Sequence, residues 1–437
     1  MVLKVDVLIL IEHKVRELDT AVLLKYYFEK RGYSVIIDSI RFNKENVYLK
    51  YNPKIIICPY AYSDKAINRM QPLCRFGNNP LFVNLHHEQI GFDGKYPHLP
   101  RGEAIKTVHI SWGKAFTDKL MMSGCKEKSI ITCGNPRLDF YCLPLSKINL
   151  TREELAKKFE LDPSKKWILY IGDPGHLCIS NINPGSTTID DTKMLFYKTA
   201  SKNRLSFFEC VNNYIEDDCE FIYRPHPSYS SIDKKDDRIK EMMLKKRFHF
   251  ISDESIRNWI INVDTVLTFS STSIIECAAA SIPFYLIRFY ECPNQCEYNM
   301  LKGYQHKIRD YLSFYQAVKG QSLFDFSHFV KSISNEFTFD NNGKIVETIV
   351  NKIISFSNDY DIGRINYRRL SCIKTRIRAF LKTILGIILR TKLGKIIFGR
   401  KKDVRYENIL KNGDDYFCQE EIDNLYDKFV DIFKKDI

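Results

Sequence analysis

The feature that most constrains the fold is a series of short apolar runs, each followed by a helical or loop stretch. A first series occupies residues 5–11, 33–37, 54–59, 81–85, 108–112 and 129–132, and a second occupies residues 167–171, 220–223, 248–252, 265–269 and 284–287. Such runs are typical of parallel strands that helices cover on both faces. The pattern predicts an α/β protein with two Rossmann-like, doubly wound lobes that face a cleft, followed by a helical basic C-terminal tail.

The length of the chain also favours two domains. Its 437 residues are more than one ordinary hydrophobic core accommodates. Thr151 and Glu154 have the spacing of a capping box, which predicts a helix start early in the second lobe. We predict an N-terminal acceptor lobe over residues 1–145, a C-terminal nucleotide-donor lobe over residues 146–345 and a helical tail over residues 346–437.

The net charge is concentrated in one segment. The chain has 66 basic and 53 acidic residues, and residues 362–402 contain thirteen Lys or Arg with no Asp or Glu. The rest of the chain is therefore balanced, with 53 residues of each sign. This balance argues against a protein that binds nucleic acid over a generally basic surface, and it predicts one local basic surface instead.

The basic segment has the pattern of an amphipathic helix. Lys374, Arg378 and Lys382 form a basic ladder, whereas apolar residues recur beside it at steps of three and four, at Ile373, Ile377, Phe380, Leu381, Ile384 and Ile388. Such a helix lies in the interface of an anionic membrane, where each nearby basic residue adds about 1 kcal/mol of attraction. A helix that packs on the protein with a solvated basic face is the alternative. We predict membrane contact through the basic ladder.

Cysteine usage and hydropathy indicate the compartment. The thirteen cysteines are scattered, and the close pair Cys292 and Cys296 has no matching second pair, so neither a disulfide framework nor a zinc site is expected. The first residues lack a signal-peptide cleavage site, and no uncharged apolar stretch is long enough to span a membrane. We predict a cytoplasmic protein on the inner face of the cell membrane, without a metal or a bound cofactor.

One segment of the second lobe predicts a phosphate site at a strand end. Arg224, Pro225, His226 and Pro227 directly follow a buried strand, which is where parallel sheets bind ligands. The prolines end the strand, His226 can donate a hydrogen bond to a phosphate oxygen, and Arg224 can neutralise its charge. A polar turn with a solvated histidine is the alternative.

A second segment places hydroxyl groups at the start of a helix. Ser270, Ser271, Thr272 and Ser273 follow an apolar strand, and hydroxyl and backbone N–H groups at a helix start form an anion site. Ser273 and Glu276 also have capping-box spacing. Glu276 therefore either caps this helix or binds a ribose hydroxyl.

The first strand of the second lobe ends in a glycine-containing loop. Gly172 and Asp173 lie at that strand end and predict a further contact with the donor nucleotide. The three-glycine dinucleotide fingerprint is absent, and a plain turn explains these residues equally well.

The first lobe contains candidates for a general base, which transfer to a hydroxyl acceptor requires. His87 and Glu88 follow an apolar strand, and Glu17 lies in the first strand–helix turn. Neighbouring side chains diverge, so His86, His87 and Glu88 are not expected to share one metal ion. The charged residues of the first turn act in acceptor recognition, act as the base, or form a solvated helix start.

Several segments together resemble a family of bacterial surface-carbohydrate biosynthesis proteins. Residues 16–19 (Arg-Glu-Leu-Asp) resemble its N-terminal signature, and residues 133–139 (Cys-Gly-Asn-Pro-Arg-Leu-Asp), after Ser-Trp-Gly at residues 111–113, are the most specific match. The two phosphate-site segments also match, so the resemblance spans about residues 5–290. It extends more distantly to capsule Kdo transferases and CDP-glycerol glycerophosphotransferases.

The resemblance implies a GT-B fold, a nucleotide held mainly by the second lobe, and no required metal. It also implies an acceptor side in the first lobe, to which we assign Glu12, Arg16, Asp19, Asn135 and Arg137. Residues 85–91 depart from the relatives, which are more acidic there, and the identity of the base stays open.

These observations predict a metal-independent glycosyltransferase that moves a sugar from a CMP-linked or other nucleotide donor to a surface polysaccharide or a lipid-linked precursor. His226 and Arg224 would stabilise the leaving phosphate, and Glu88, Glu17 or His87 would deprotonate the acceptor. A CDP-polyol phosphotransferase and a non-catalytic membrane-bound assembly factor are the alternatives. A nucleotide-sugar epimerase of the same fold fits less well, because a membrane-docking tail has no obvious use there.

Overall fold

The computed structural model describes residues 2–40, 44–75, 78–92, 95–96, 98–172, 191–214, 219–226, 233–320, 324–339, 343–367, 369–390 and 417–435. The chain divides into two compact units. The first contains Met1–Gln89, His98–Ile148 and Asn335–Ile437, and the second contains Ile90–Pro97 and Asn149–Ser334.

The first unit is built on a six-stranded parallel sheet. Its strands, in chain order, are β1 (Leu3–Ile11), β2 (Val35–Ser39), β3 (Tyr51–Cys58), β4 (Leu81–Asn84), β5 (Val108–Ser111) and β6 (Ile130–Thr132). They lie in the order β2-β1-β3-β4-β5-β6. The chain adds β2 on one side of β1 and then β3 to β6 on the other side, so the strand order reverses between β1 and β3. Ile9 of β1 lies opposite Ile37 of β2 and Ile57 of β3. Ligands of open α/β sheets bind at such a switch point, beyond the carboxyl ends of the strands.

The second unit repeats this plan. Its strands are β7 (Lys166–Ile171), β8 (Cys219–Arg224), β9 (Phe248–Phe250), β10 (Thr265–Thr268), β11 (Phe284–Ile287) and β12 (Lys307–Ile308). They form a parallel sheet in the order β12-β11-β10-β7-β8-β9, with the switch point between β7 and β10. The prediction of two parallel α/β lobes is confirmed.

Helices connect the strands of both sheets. The α-helices of the first unit are α1 (Lys14–Glu29), α2 (Lys44–Lys50), α3 (Asp64–Met70), α4 (Lys114–Met122), α12 (Ile345–Ser357), α13 (Arg369–Arg390) and α14 (Gln419–Lys434). Those of the second unit are α5 (Arg152–Phe159), α6 (Asp191–Tyr214), α7 (Asp237–Met243), α8 (Ile256–Ile260), α9 (Ile274–Ala279), α10 (Tyr311–Lys319) and α11 (Phe326–Ser332). Short 3-10 helices lie at Gln71–Leu73, Gly102–Lys106, Glu127–Ser129, Pro136–Tyr141, Leu145–Ile148 and Asn299–Leu301.

Burial on both faces explains the continuous apolar runs. Val7, Leu8 and Ile9 are consecutive residues of β1, point alternately to opposite faces, and are all fully buried. The predicted capping box at the start of α5 is also present, because the Thr151 hydroxyl accepts from the N–H of Glu154 and the Glu154 carboxylate accepts from the N–H of Thr151.

The chain returns to the first unit after residue 334. The N–H of Ala115 donates to the carbonyl of Asn335, and the N–H of Thr338 donates to the carbonyl of Trp112, both at 2.7 Å. Gly113 permits this approach, since a Cβ there would lie 2.4 Å from the backbone oxygen of Glu336. The sequence-based division treats residues 346–437 as a separate tail, whereas the described part of that segment is grouped with the first unit.

The start of the basic segment is also part of the first unit. The N–H of Phe82 in β4 donates to the carbonyl of Gly363 at 2.9 Å, and the N–H of Asn366 donates to the Glu103 carboxylate at 2.7 Å. Cys372 and Ala379 of α13 are buried. Among the described residues, no helix is both long and apolar enough to cross a membrane.

Candidate active site

Predicted donor-site residues meet at the carboxyl end of the second sheet. β7 and β8 are neighbours, and the N–H of Gly172 donates to the carbonyl of Arg224 at 2.8 Å. A Cβ at Gly172 would lie 3.1 Å from that carbonyl oxygen and 3.3 Å from the backbone nitrogen of His226. The glycine therefore lets the half-buried His226 lie close to the end of β7. Asp173 and Pro227 lie outside the described residues.

The hydroxyl segment follows the strand on the other side of β7. Thr268 of β10 lies opposite Ile171 and donates to its carbonyl at 3.0 Å, so Ser270 comes just beyond the same sheet edge. The Ser270 hydroxyl is buried and has no hydrogen-bond partner among the described residues. Buried polar groups are almost always hydrogen-bonded, so a donor or acceptor from a ligand would satisfy this one.

The capping-box spacing in the hydroxyl segment does not produce a capping box. The Ser273 side chain makes no capping hydrogen bond to α9 within the described structure, and the role of Glu276 stays a prediction. The N–H of Ser273 instead donates to the Ser271 hydroxyl at 3.2 Å. Thr272 is half-buried beside them, and Glu276 is buried in the first turn of α9.

Arg224 is buried and binds backbone carbonyls. Its guanidinium donates to the carbonyl of Asp253 at 2.5 Å and to the carbonyl of Glu254. Burial lowers the pKa of Arg224 to about 10, so the side chain stays charged at pH 7. No carboxylate forms an ion pair with it in the described part of the chain, but the charges of Glu254 and Asp253 act on the guanidinium and offset part of its positive charge.

Two buried arginine networks support this sheet edge. Arg288 lies just after β11, donates to the carbonyl of Phe269 at 2.5 Å, and pairs with Glu297 at 2.9 Å. Arg204 of α6 donates to the Tyr223 hydroxyl at 3.1 Å, and that hydroxyl donates to Asp233 at 2.5 Å. Sequence reasoning misses these residues, because each lies far along the chain from the group it positions.

The charged residues of the first strand–helix turn form a bonded cluster in the first unit. Glu17 is buried in α1, and its carboxylate accepts from the N–H of Glu12 at 2.7 Å and from Arg16 at 2.8 Å. Arg16 also pairs with Glu88 at 3.0 Å, and Glu88 pairs with His98 at 3.1 Å. The structure thus brings together Glu12, Arg16, Glu17 and Glu88, which the sequence analysis names separately.

The electrostatics of this cluster distinguish the candidate bases. Hydrogen bonding to His98 and the charge of Arg16 lower the pKa of Glu88 to about 2, which makes it a weak base. The His87 imidazole has its pKa lowered to about 4, chiefly by desolvation and also by the charges of Arg16 and Arg137, although the Glu17 carboxylate opposes the shift. His87 is therefore unprotonated at pH 7, and it is a stronger base than Glu88 because its pKa is the higher of the two.

Behind His87 lies a buried histidine pair that the sequence analysis does not assign. Nε2 of His86 lies 2.8 Å from Nδ1 of His109, and both rings are fully buried. His86 has a positive φ of 49°, an unusual conformation that turns the chain sharply before His87. The sequence does not indicate which of the two adjacent histidine rings is buried and which is half-buried.

Part of the family-like segment after β6 has a structural role. The Asp139 carboxylate accepts from the N–H of Ile345 at 3.0 Å and of Val346 at 2.8 Å, and so caps α12. Asn135 is buried, and its side chain accepts from the N–H of Arg137 at 3.1 Å. The acceptor-side assignment of Asn135 and Arg137 stays a prediction.

The remaining predicted residues lie on helices of the first unit. Asp19 is half-buried in α1. Lys374 and Arg378 are exposed on α13, and the side chain of Lys382 lies outside the described structure. Within the described ranges, no group of three His, Cys, Asp or Glu side chains is arranged to hold a metal ion.

Comparison with known proteins gives structural matches. No family model and no curated protein sequence matches the chain. The structure of the wall teichoic acid polymerase TagF matches with a TM-score of 0.53 and 13% identity, covering 81% of this chain and 89% of TagF. The match shows that the two chains share the GT-B fold, with two Rossmann-like α/β lobes.

Two further structures match with lower scores. S. aureus MnaA, solved with UDP, has a TM-score of 0.49 and 15% identity over 84% of this chain and 100% of its own. The UDP-GlcNAc 2-epimerase of Methanocaldococcus jannaschii has a TM-score of 0.49 and 13% identity over 80% of this chain and 99% of its own.

Proposed function

We propose that the protein is a metal-independent glycosyltransferase of surface-polysaccharide synthesis. Its second unit would bind a nucleotide-activated sugar, and its first unit would bind a polysaccharide or lipid-linked acceptor. The observation that carries the proposal is the meeting of Gly172, Arg224, His226 and Ser270 around the switch point of the second sheet.

The chemistry of that edge suits a leaving nucleotide phosphate. The buried charge of Arg224 attracts an anion, and the Ser270 hydroxyl lacks a partner among the described residues. His226 would donate to a phosphate oxygen as the bond to the sugar breaks. Preorganised donors of this kind stabilise developing negative charge without reorganisation during the reaction.

We propose His87 as the general base for the acceptor hydroxyl. Its imidazole is unprotonated at pH 7 and has a higher pKa than the Glu88 carboxylate, and both Glu17 and Glu88 are bonded to Arg16. Glu17 would then act as a positioning residue, since its negative charge opposes the lowering of the His87 pKa and stabilises the imidazolium that proton transfer forms.

A nucleotide panel read by melting temperature tests the donor assignment. CMP, CDP, UDP, GDP and dTDP would be compared, each at about 100 times its Kd, where binding stabilises the folded state by about 2.7 kcal/mol. We expect the nucleotides that carry one particular nucleobase to raise the melting temperature by several degrees. No shift with any nucleotide would contradict the proposal and favour a non-catalytic assembly factor.

Adding CDP-glycerol and nucleotide sugars to this panel separates the alternative activity. TagF, which shares the fold, is a wall teichoic acid polymerase and has been solved after soaking with CDPG. Stabilisation by CDP-glycerol but by no nucleotide sugar would favour a CDP-polyol phosphotransferase.

We also propose that the enzyme docks on the inner, anionic face of the cell membrane through α13. Cys372 and Ala379 of this helix are buried. A second face is exposed and apolar, with Leu370 exposed to 83% and Phe380 to 55%, together with Ile373, Ile377, Leu381 and Ile384. Lys374 and Arg378 are exposed beside it. An apolar face flanked by basic residues is what an anionic lipid interface accommodates.

Vesicle sedimentation tests the membrane proposal. We expect the protein to bind phosphatidylglycerol-containing vesicles and the double variant Ile377→Asp, Phe380→Asp to lose that binding. Leu244→Asp is the matched control, because Leu244 is an exposed leucine of the second unit. Equal binding by the double variant and the control would contradict docking through α13.

A further inference from the structure

Aromatic rings line the acceptor side of the first unit. Tyr60 follows β3, and its ring stacks on Tyr62 at a centroid distance of 5.9 Å. Tyr62 stacks in turn on His98 at 4.9 Å. Tyr60, Tyr62 and His98 thus form a column of stacked rings. Among the described residues, Tyr60 contacts no aromatic ring other than Tyr62, so Tyr60 is one end of this column. All three side chains are half-buried and therefore reach the surface.

The ends of the column are tied to the carboxylate cluster. The Tyr60 hydroxyl donates to Glu12 at 3.3 Å across the switch point between β1 and β3. At the other end, His98 pairs with Glu88, which pairs with Arg16. The Glu17 carboxylate links the two ends, because it accepts from Arg16 and from the N–H of Glu12. We call the partly exposed groups of this ring the aromatic rim, which comprises Glu12, Arg16, Tyr60, Tyr62, Glu88 and His98.

The polar groups of the rim favour a ligand that donates hydrogen bonds. Carboxylates only accept, and those of Glu12 and Glu88 are partly exposed. Arg16 is already bonded to two carboxylates, Glu17 and Glu88. A phosphate would meet oxygens that repel it, whereas a sugar offers hydroxyl donors and an apolar C–H face that packs on the negative face of an aromatic ring.

We infer that the aromatic rim binds the terminal ring of a neutral pyranose acceptor, which stacks on Tyr60 and donates hydroxyl hydrogen bonds to Glu12 and Glu88. The inference rests on the proposed function and narrows it, because it names a neutral sugar rather than a phosphopolyol chain as the acceptor end. Tyr60 and Glu12 become specificity-determining residues.

Saturation-transfer NMR on the full chain tests this inference. The probes are the neutral methyl glycosides of glucose, galactose, mannose and N-acetylglucosamine, with glycerol 3-phosphate as the anionic comparison. We expect at least one glycoside to bind and glycerol 3-phosphate not to bind. Tyr60→Leu should abolish the glycoside signal, whereas Tyr60→Phe, which keeps the ring, should retain most of it.

Tyr360→Leu is the control, since Tyr360 is a highly exposed tyrosine of the first unit that lies outside the rim. Binding of glycerol 3-phosphate in place of the glycosides, binding of no probe, or a glycoside signal that survives Tyr60→Leu would overturn the inference. A nucleotide that still raises the melting temperature in that case would leave the donor assignment standing, so the two failures are distinguishable.

Discussion

The environment of each side chain decides which of the candidate bases can accept a proton. Three carboxylates and two histidines lie near the carboxyl ends of β1 and β4, and composition alone does not rank them. Arg16 satisfies Glu17 and Glu88 with hydrogen bonds and holds both carboxylates ionised. His86 is enclosed with His109, which leaves the half-buried His87 as the neutral acceptor. The ranking depends on distances between side chains, which the spacing of residues in the sequence does not predict.

The titration of His87 tests this ranking. We expect its imidazole to titrate near pH 4 by NMR, and Glu17→Gln to lower the pKa further because the carboxylate that opposes the shift is lost. Glu127→Gln, which changes an exposed carboxylate of the same unit, should leave the His87 pKa unchanged. A His87 pKa near the ordinary value of about 6.5 would contradict the ranking.

At the scale of elements, strand positions follow from the sequence and the packing of the C-terminal segment does not. Strands that are buried on both faces must be apolar throughout, so the eleven short apolar runs predict eleven of the twelve strands in the two sheets. β12 has two residues and carries too little pattern to predict. The return of residues 335–338 depends on backbone hydrogen bonds to residues 112–115, which leave no periodicity in the sequence.

The sequence analysis names Asp139 only as part of the family-like segment, and the structure gives it a role as the cap of α12. We expect Asp139→Ala to lower the free energy of unfolding by about 1–3 kcal/mol, because it leaves two buried N–H groups without an acceptor. Asp139→Asn keeps one acceptor oxygen and should cost less. Urea unfolding measures both, and equal stability of Asp139→Ala and the unchanged protein would contradict the capping role.

At the scale of the whole molecule, the two units carry different halves of the proposed chemistry. The second unit contains the sheet edge with Arg224, His226 and Ser270, and the first contains the carboxylates, His87 and the aromatic rim. This division agrees with the resemblance, which implies a nucleotide held mainly by the second lobe. The basic helix α13 belongs to the first unit, so the proposed membrane surface and the proposed acceptor site lie on the same unit.

The most direct test of the central claim is the affinity of the second unit's sheet edge for a nucleotide. Isothermal titration would use whichever nucleotide raises the melting temperature most. We expect His226→Ala to weaken binding about 10-fold or more, as the loss of a hydrogen bond to a charged group implies, and Ser270→Ala to weaken it less. His328→Ala, at an exposed histidine of the same unit, should bind like the unchanged protein. Undiminished affinity in both His226→Ala and Ser270→Ala would contradict the account.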